Sequence, residues 1–215
     1  DSTASPSMKK QDGSYFDTFF NQTFSYDKRN EKYRTSEGYI SRFSQSVPLI
    51  SKNYTLTNVY DYKTYNEWLD ENIFSIGFFA KNANSLSGKN IKLSDRLFLP
   101  SSKLRGFESG RVGPKDGADF IGGNYAASIN LATSLSQILP NSQNTSFSIF
   151  FDAANVWGID YSSKLNDGSK IRSSAGIALD LFTVIGPLNF SLSQPITKAK
   201  NDITESFRFN LGTTF

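Results

Sequence analysis

At 215 residues the chain can make one domain or a large part of one, and its 23 basic and 20 acidic residues leave a net charge of only +3, with no basic block. Nucleic-acid binding therefore has little support. The absence of cysteine and histidine excludes thiol chemistry, zinc sites of the usual kind and a Ser-His-Asp triad.

Residues 1–12 are polar and lack the apolar core of a signal peptide, so the sequence is expected to begin inside a longer chain. No stretch approaches about 18 apolar residues, so no transmembrane helix is expected. Instead the dominant period is two. Strands are expected at residues 16–26 and 38–47. Residues 54–62 present Tyr54, Leu56, Tyr60 and Tyr62 on one face, and residues 73–81 present Phe74, Ile76 and Phe78. A long polar loop follows at about residues 82–123. Tyr125, Ala127, Ile129 and Leu131 then alternate with Ala126, Ser128 and Asn130, and Phe147, Ile149 and Phe151 with Ser148, Phe150 and Asp152. After a second polar loop at residues 158–170, Ile177, Leu179 and Leu181 alternate with Gly176, Ala178 and Asp180. Leu188, Phe190 and Leu192 alternate with Asn189, Ser191 and Ser193. The chain ends with Phe207, Phe209, Leu211, Thr213 and Phe215 against Arg208, Asn210, Gly212 and Thr214. Turns are expected near residues 29–37, 63–72, 135–144 and 183–186.

Runs of about 9–12 residues, 19 Phe, 10 Tyr and abundant Ser, Asn and Thr fit an all-β, up-and-down antiparallel transmembrane β-barrel, apolar outside and wet inside. Nine strands are expected here. Single-chain bacterial barrels have even strand numbers, so nine points to part of a larger barrel, a curled open sheet when taken alone.

The long loop contains Leu104-Arg105-Gly106-Phe107, then Gly113-Pro114 and Gly122-Gly123-Asn124. Phe150-Phe151-Asp152-Ala153-Ala154-Asn155-Val156-Trp157 follows, then Arg172-x-Ser174-x-Gly176, Gly186-Pro187-Leu188-Asn189-Phe190-Ser191 and Gln194-Pro195. In this order the motifs, with the terminal strand, resemble the BamA family of outer-membrane assembly factors, or bacterial surface antigens. The resemblance implies the last nine strands of a sixteen-stranded barrel, with the earlier strands and periplasmic repeat domains absent. It also implies a loop folded into the lumen. By alternation Asp152 faces inward, and so is the expected partner of Arg105 in a loop lock formed by Arg105, Gly106, Phe107 and Asp152. A second acid, usual in the family, is replaced here by Ala132, with Asn130 one inward step away, which leaves the lock on fewer charges. A reversed charge pair should then rescue either single reversal.

The resemblance further implies that Phe207, Phe209, Leu211, Gly212 and Phe215 lie on a lateral-gate strand that pairs poorly with the first strand and receives substrate strands by β-augmentation. The function implied is folding and insertion of outer-membrane proteins in the bacterial outer membrane. Its partners would be unfolded barrel proteins, accessory lipoproteins and the bilayer, with no cofactor, no metal and no catalytic residue. A TamA-like or two-partner secretion barrel is the alternative. A passive porin is a third, disfavoured because the inward positions read mostly as Ser, Asn, Ala and Gly. Asp167, Arg172 and Asp180 form no metal or acid–base set and are expected to be solvated.

Overall fold

A computed structural model describes residues 5, 9, 13–32, 34–68, 71–138, 144–162, 165, 170–183 and 186–211. Nine strands form one antiparallel sheet in chain order: β1 (Thr18–Asp27), β2 (Gly38–Ile50), β3 (Thr55–Trp68), β4 (Asn72–Ser85), β7 (Tyr125–Ser134), β8 (Thr145–Trp157), β9 (Arg172–Thr183), β10 (Gly186–Thr197) and β11 (Phe207–Leu211). Between β4 and β7 the long connection carries a small ribbon, β5 (Lys115–Asp116) paired with β6 (Asp119–Phe120), and two 3-10 turns at Leu93–Asp95 and Ser101–Lys103. The sheet is open, and β1 and β11 are its edges.

β3 and β4 are each 14 residues long, longer than the alternation suggests. The turn expected at 63–72 shrinks accordingly, because Lys63 still pairs with Gly77 and Glu67 with Ile73. Residues 63–67 carry polar side chains on both faces, so hydrophobic alternation stops while the backbone ladder continues.

The two faces have opposite chemistry. On the outer face Phe24, Tyr60, Ile76, Phe78, Ile129, Ile149, Phe151, Ile177, Leu192, Phe207 and Phe209 are all exposed, as lipid-facing positions must be. A side-chain ladder crosses this face near the long-loop end. Gln22 Nε2 donates to Gln45 Oε1 at 2.9 Å, Gln45 Nε2 to Asn58 Oδ1 at 2.7 Å, and Asn58 Nδ2 to Asn82 Oδ1 at 3.0 Å. The same row continues through Tyr125 and Trp157, whose rings stack at 5.7 Å. At the opposite end Trp68 meets Phe74, and Tyr39 bridges Tyr26 and Tyr62. From Asn58 to Trp68 a strand rising about 3.3 Å per residue and tilted by about 40° climbs about 25 Å, the height of a barrel's apolar band. The amide row and the aromatic clusters thus mark its two rims.

The inner face is not uniformly wet. The long connection folds onto it, and loop residues Ile91, Leu97, Leu99, Leu104, Phe107 and Val112 form a buried cluster with wall residues Phe79, Ala83, Ala126, Ala154 and Val156. Register also places Arg42, Asp61, Lys63 and Lys81 on this face, correcting the expectation of a mainly Ser, Asn, Ala and Gly lining. The loop supplies the apolar partners that a water-filled lumen would lack.

Ile129, paired with Phe78 at mid-height, should accept arginine at a cost of about 2–4 kcal/mol, whereas Asn84, beyond the amide row, should accept it at about 0–1 kcal/mol. Denaturant titration of folding into lipid vesicles measures both.

A candidate loop lock and gate strand

The base of the loop is held by hydrogen-bonded backbone and by buried cations. Leu97 and Gly123 exchange N–H···O bonds of 2.8 and 3.0 Å, Ala83 N donates to Asn124 O, and Asn124 N donates to Gly158 O. A side chain at Gly123 would stand 2.4 Å from Trp157 O, so the backbones can meet only with glycine there. The Arg96 guanidinium, buried, reaches Asn124 Oδ1 and the Asp160 carboxylate. Lys92 Nζ donates to both oxygens of Asp17, at 2.9 and 2.7 Å. That bond first, and the Ser51 hydroxyl second, hold the Asp17 carboxyl below its ordinary pKa. The stabilisation this gives is present at neutral pH and is lost only as pH falls through the lowered value.

Arg105 and Asp152 meet on the inner face. Arg105 Nε donates to Asp152 Oδ2 at 2.7 Å and Nη2 to Oδ1 at 2.8 Å, in the bidentate geometry that favours arginine over lysine. Arg105's own backbone N–H donates to Oδ2 at 3.1 Å, and Asn130 Nδ2 donates to Oδ1 at 2.8 Å. The carboxylate, with no exposed surface, is therefore satisfied by donors on both oxygens. The guanidinium also lies 3.4 Å from the centroid of the Phe150 ring, where the cation meets the ring's negative face. Ser174 Oγ donates to Arg105 O at 2.5 Å.

Gly106 has φ +87°, and a Cβ there would come within 3.1 Å of Ser174 Cβ and 3.2 Å of Ser193 Cβ. Both its handedness and its space call for glycine. Phe107, 1% exposed, closes the apolar cluster beside it.

The four loop-lock residues are thus brought together. Asn130 and Lys103 are additional members. Asn130 supplies a donor to Asp152 and another to Lys103 O at 3.0 Å, in place of a second acid. A different wall carboxylate, Asp61 on β3, meets the loop at Lys103 Nζ, 2.6 Å away. Nothing in the alternation pairs a loop residue with a strand that distant. Arg172, expected in solvent, is wholly buried, donating to Asp202 at 2.9 and 3.1 Å and to Asn155 Oδ1 at 2.7 Å. Asp180 accepts a hydrogen bond from Asn189 Nδ2. Asp167 lies outside the described residues.

Of the gate-strand residues, Phe207, Phe209 and Leu211 are exposed on the outer face of β11, and Phe190 and Phe209 rings lie 5.0 Å apart. Gly212 and Phe215 lie outside the described residues. Among the described residues β11 pairs with β10 across Leu188–Leu192, and just beyond it Ser193 N donates to Ser206 O at 2.8 Å.

The Omp85 superfamily domain matches residues 1–215. The chain belongs to the Omp85 superfamily. Among similar proteins is the outer membrane protein assembly factor BamA of Neisseria meningitidis serogroup B, 31% identical over 141 residues, which cover 52% of this chain and 17% of that protein. The sorting assembly machinery 50 kDa subunit of Saccharomyces cerevisiae is 24% identical over 98% of this chain and 46% of its own length. The crystal structure of Haemophilus ducreyi BamA lacking POTRA domains 1–3 superposes with a TM-score of 0.79 at 26% identity, covering 88% of this chain and 41% of that one. The chain thus spans less than half the length of these relatives. Membership of a family of outer-membrane β-barrels agrees with the all-β sheet and its lipid-facing aromatics, and sets aside the porin reading.

Asp152→Asn keeps the shape but turns an NH2 toward donors, and should weaken loop docking by about 3–5 kcal/mol, as loss of one partner from a buried pair does. Contrary to the rescue expected from the sequence, the reversed pair, Arg105→Asp with Asp152→Arg, should not recover it, because the Asn130 amide and the residue-105 N–H would then face a cation. Protease cleavage within residues 101–111, followed against denaturant, reads out both. Rescue by the reversed pair would show the pocket to be indifferent to sign.

Proposed function

We propose that this chain forms the wall of a machine that folds and inserts β-barrel proteins into the bacterial outer membrane, through a seam at the edge of β11. The observation that carries the reading is that edge. β11 is an edge of the described sheet and turns Phe207, Phe209 and Leu211 to the apolar outer face. A strand in that position offers backbone N–H and C=O groups to an incoming strand, and lipid leaves such groups no other partner. Addition of a substrate strand by β-augmentation supplies the missing bonds, and its alternate apolar side chains continue the outer face.

The named functions of the Neisseria and yeast relatives support assembly as the activity, and the Neisseria and Haemophilus similarities support a bacterial outer membrane. The docked loop supports it in a second way. A buried cluster on the inner face suits a wall that works at its side rather than through its middle. The partners in this reading are unfolded outer-membrane proteins, accessory lipoproteins of an assembly complex, and the bilayer. The work is exchange of hydrogen bonds, with no enzymatic step and no cofactor.

A disulfide placed between β11 and the strand that closes the barrel against it, in the whole protein, should stop insertion of a second barrel protein into vesicles, and reductant should restore it. Insertion at full rate with the link formed would remove the seam from the mechanism. Cysteines at Phe207 or Leu211 should in addition capture the terminal strand of a stalled substrate.

A further inference from the structure

The β10–β11 connection and the arginine-bearing loop are joined as strands are joined. Phe107 bridges Thr204 in antiparallel fashion. Glu108 N donates to Ile203 O at 2.9 Å, Glu205 N to Gly106 O at 3.1 Å, and Ile203 N to Arg111 O at 3.2 Å. The connection is itself fixed to β9 through the buried Arg172–Asp202 pair, and Asp202 accepts from Ala199 N at 2.6 Å. Immediately beyond it stands Arg208, the inward residue between Phe207 and Phe209. Its guanidinium donates to Ser101 O at 2.8 Å and to Phe107 O at 2.6 Å, while Glu205 receives Nε at 2.8 Å and Nη2 at 2.5 Å.

A side chain of the gate strand thus holds the loop backbone at two points that flank the Arg105-Gly106 tip. The guanidinium fork is suited to this, having N–H groups fixed in a plane and pointing three ways. The carbonyls it reaches are otherwise poorly placed. Ser101 lies in a 3-10 turn and Phe107 at the single bridge, so neither belongs to a continuing ladder.

We infer that Arg208 is a positioning residue that makes the docked loop and the last strand one cooperative unit, so that undocking of the loop and loosening of β11 are a single event. Arg105 fastens this unit to β8, Arg172 fastens it to β9, and Arg208 joins its two halves. β11 is thus held from its inner side by the loop as well as along its ladder with β10. Coupling between the two must be reciprocal, since each stabilises the state that the other needs. The inference concerns the resting wall and holds whatever passes the seam.

Hydrogen exchange on the whole protein in lipid nanodiscs tests it, with the Glu108, Ile203 and Glu205 amides reporting on the loop and residues 207–211 on the strand. Arg208→Gln should speed exchange at both sets by about tenfold, the worth of roughly one net hydrogen bond. Arg208→Lys should recover little, because an ammonium cannot span both carbonyls and Glu205. Glu205→Gln, which keeps the guanidinium, should have a smaller effect. The reciprocal arm is Arg105→Ala, which should speed exchange in residues 207–211 although its ion pair is made with Asp152 on β8. If Arg105→Ala frees only the loop, or Arg208→Gln changes only its own strand, the two are not coupled and the inference fails. Should Arg208→Gln not fold, the Arg105→Ala and Glu205→Gln arms decide it in the same way.

Discussion

A carboxylate with no access to water organises this molecule. Asp152 sits on the inner face of β8, where an unpaired charge would be untenable, so its position is stable only when Arg105 and Asn130 are brought to it. That requirement sets where the loop tip must lie. Once the tip is there, Phe107 and Leu104 fall among Phe79, Ala126, Ala154 and Val156, and the long connection becomes the core that a single open sheet does not possess. A buried Phe or Leu contributes about 1.5–3 kcal/mol, so the apolar cluster and the ion pair reinforce one another. The pair gives the cluster its register, and the cluster keeps water from the pair.

The outer face obeys a different solvent. There the exposed phenylalanines and isoleucines need no partner from the chain, and the aromatic clusters near Trp68 and Trp157 sit where the apolar band ends. With the inner side occupied by the loop and the outer side by lipid, the strand edges are the remaining places where backbone groups can change partners. In the proposed function the sheet's work is confined to a line of N–H and C=O groups.

Much of this was legible from residue order. Period two places Phe151 outside and Asp152 inside, but that the Arg105-Gly106-Phe107 tip enters the lumen to meet Asp152 is what the family resemblance implies. What alternation does not carry is contact between segments far apart. Lys103 with Asp61 joins the long loop to the strand before β4, and Arg208 with Ser101 spans most of the long connection and four strands of the sheet. Arg172 looked like a solvated loop-end cation because its partner, Asp202, lies in a connection with no pattern of its own. The strand through Glu67 was read as a turn because its polar residues hide the ladder.

The seat of Gly106 has a consequence for how such a wall can vary over time. Its depth is set by two small hydroxyl residues on neighbouring strands, Ser174 and Ser193, whose Cβ atoms are the first things a methyl at 106 would strike. Mutational drift toward bulk at either serine would therefore shut the berth from the wall side while leaving every loop residue intact. Inheritance of the motif alone does not guarantee a lodged tip. The barrel's capacity to hold it is encoded as well in small residues of the wall strands.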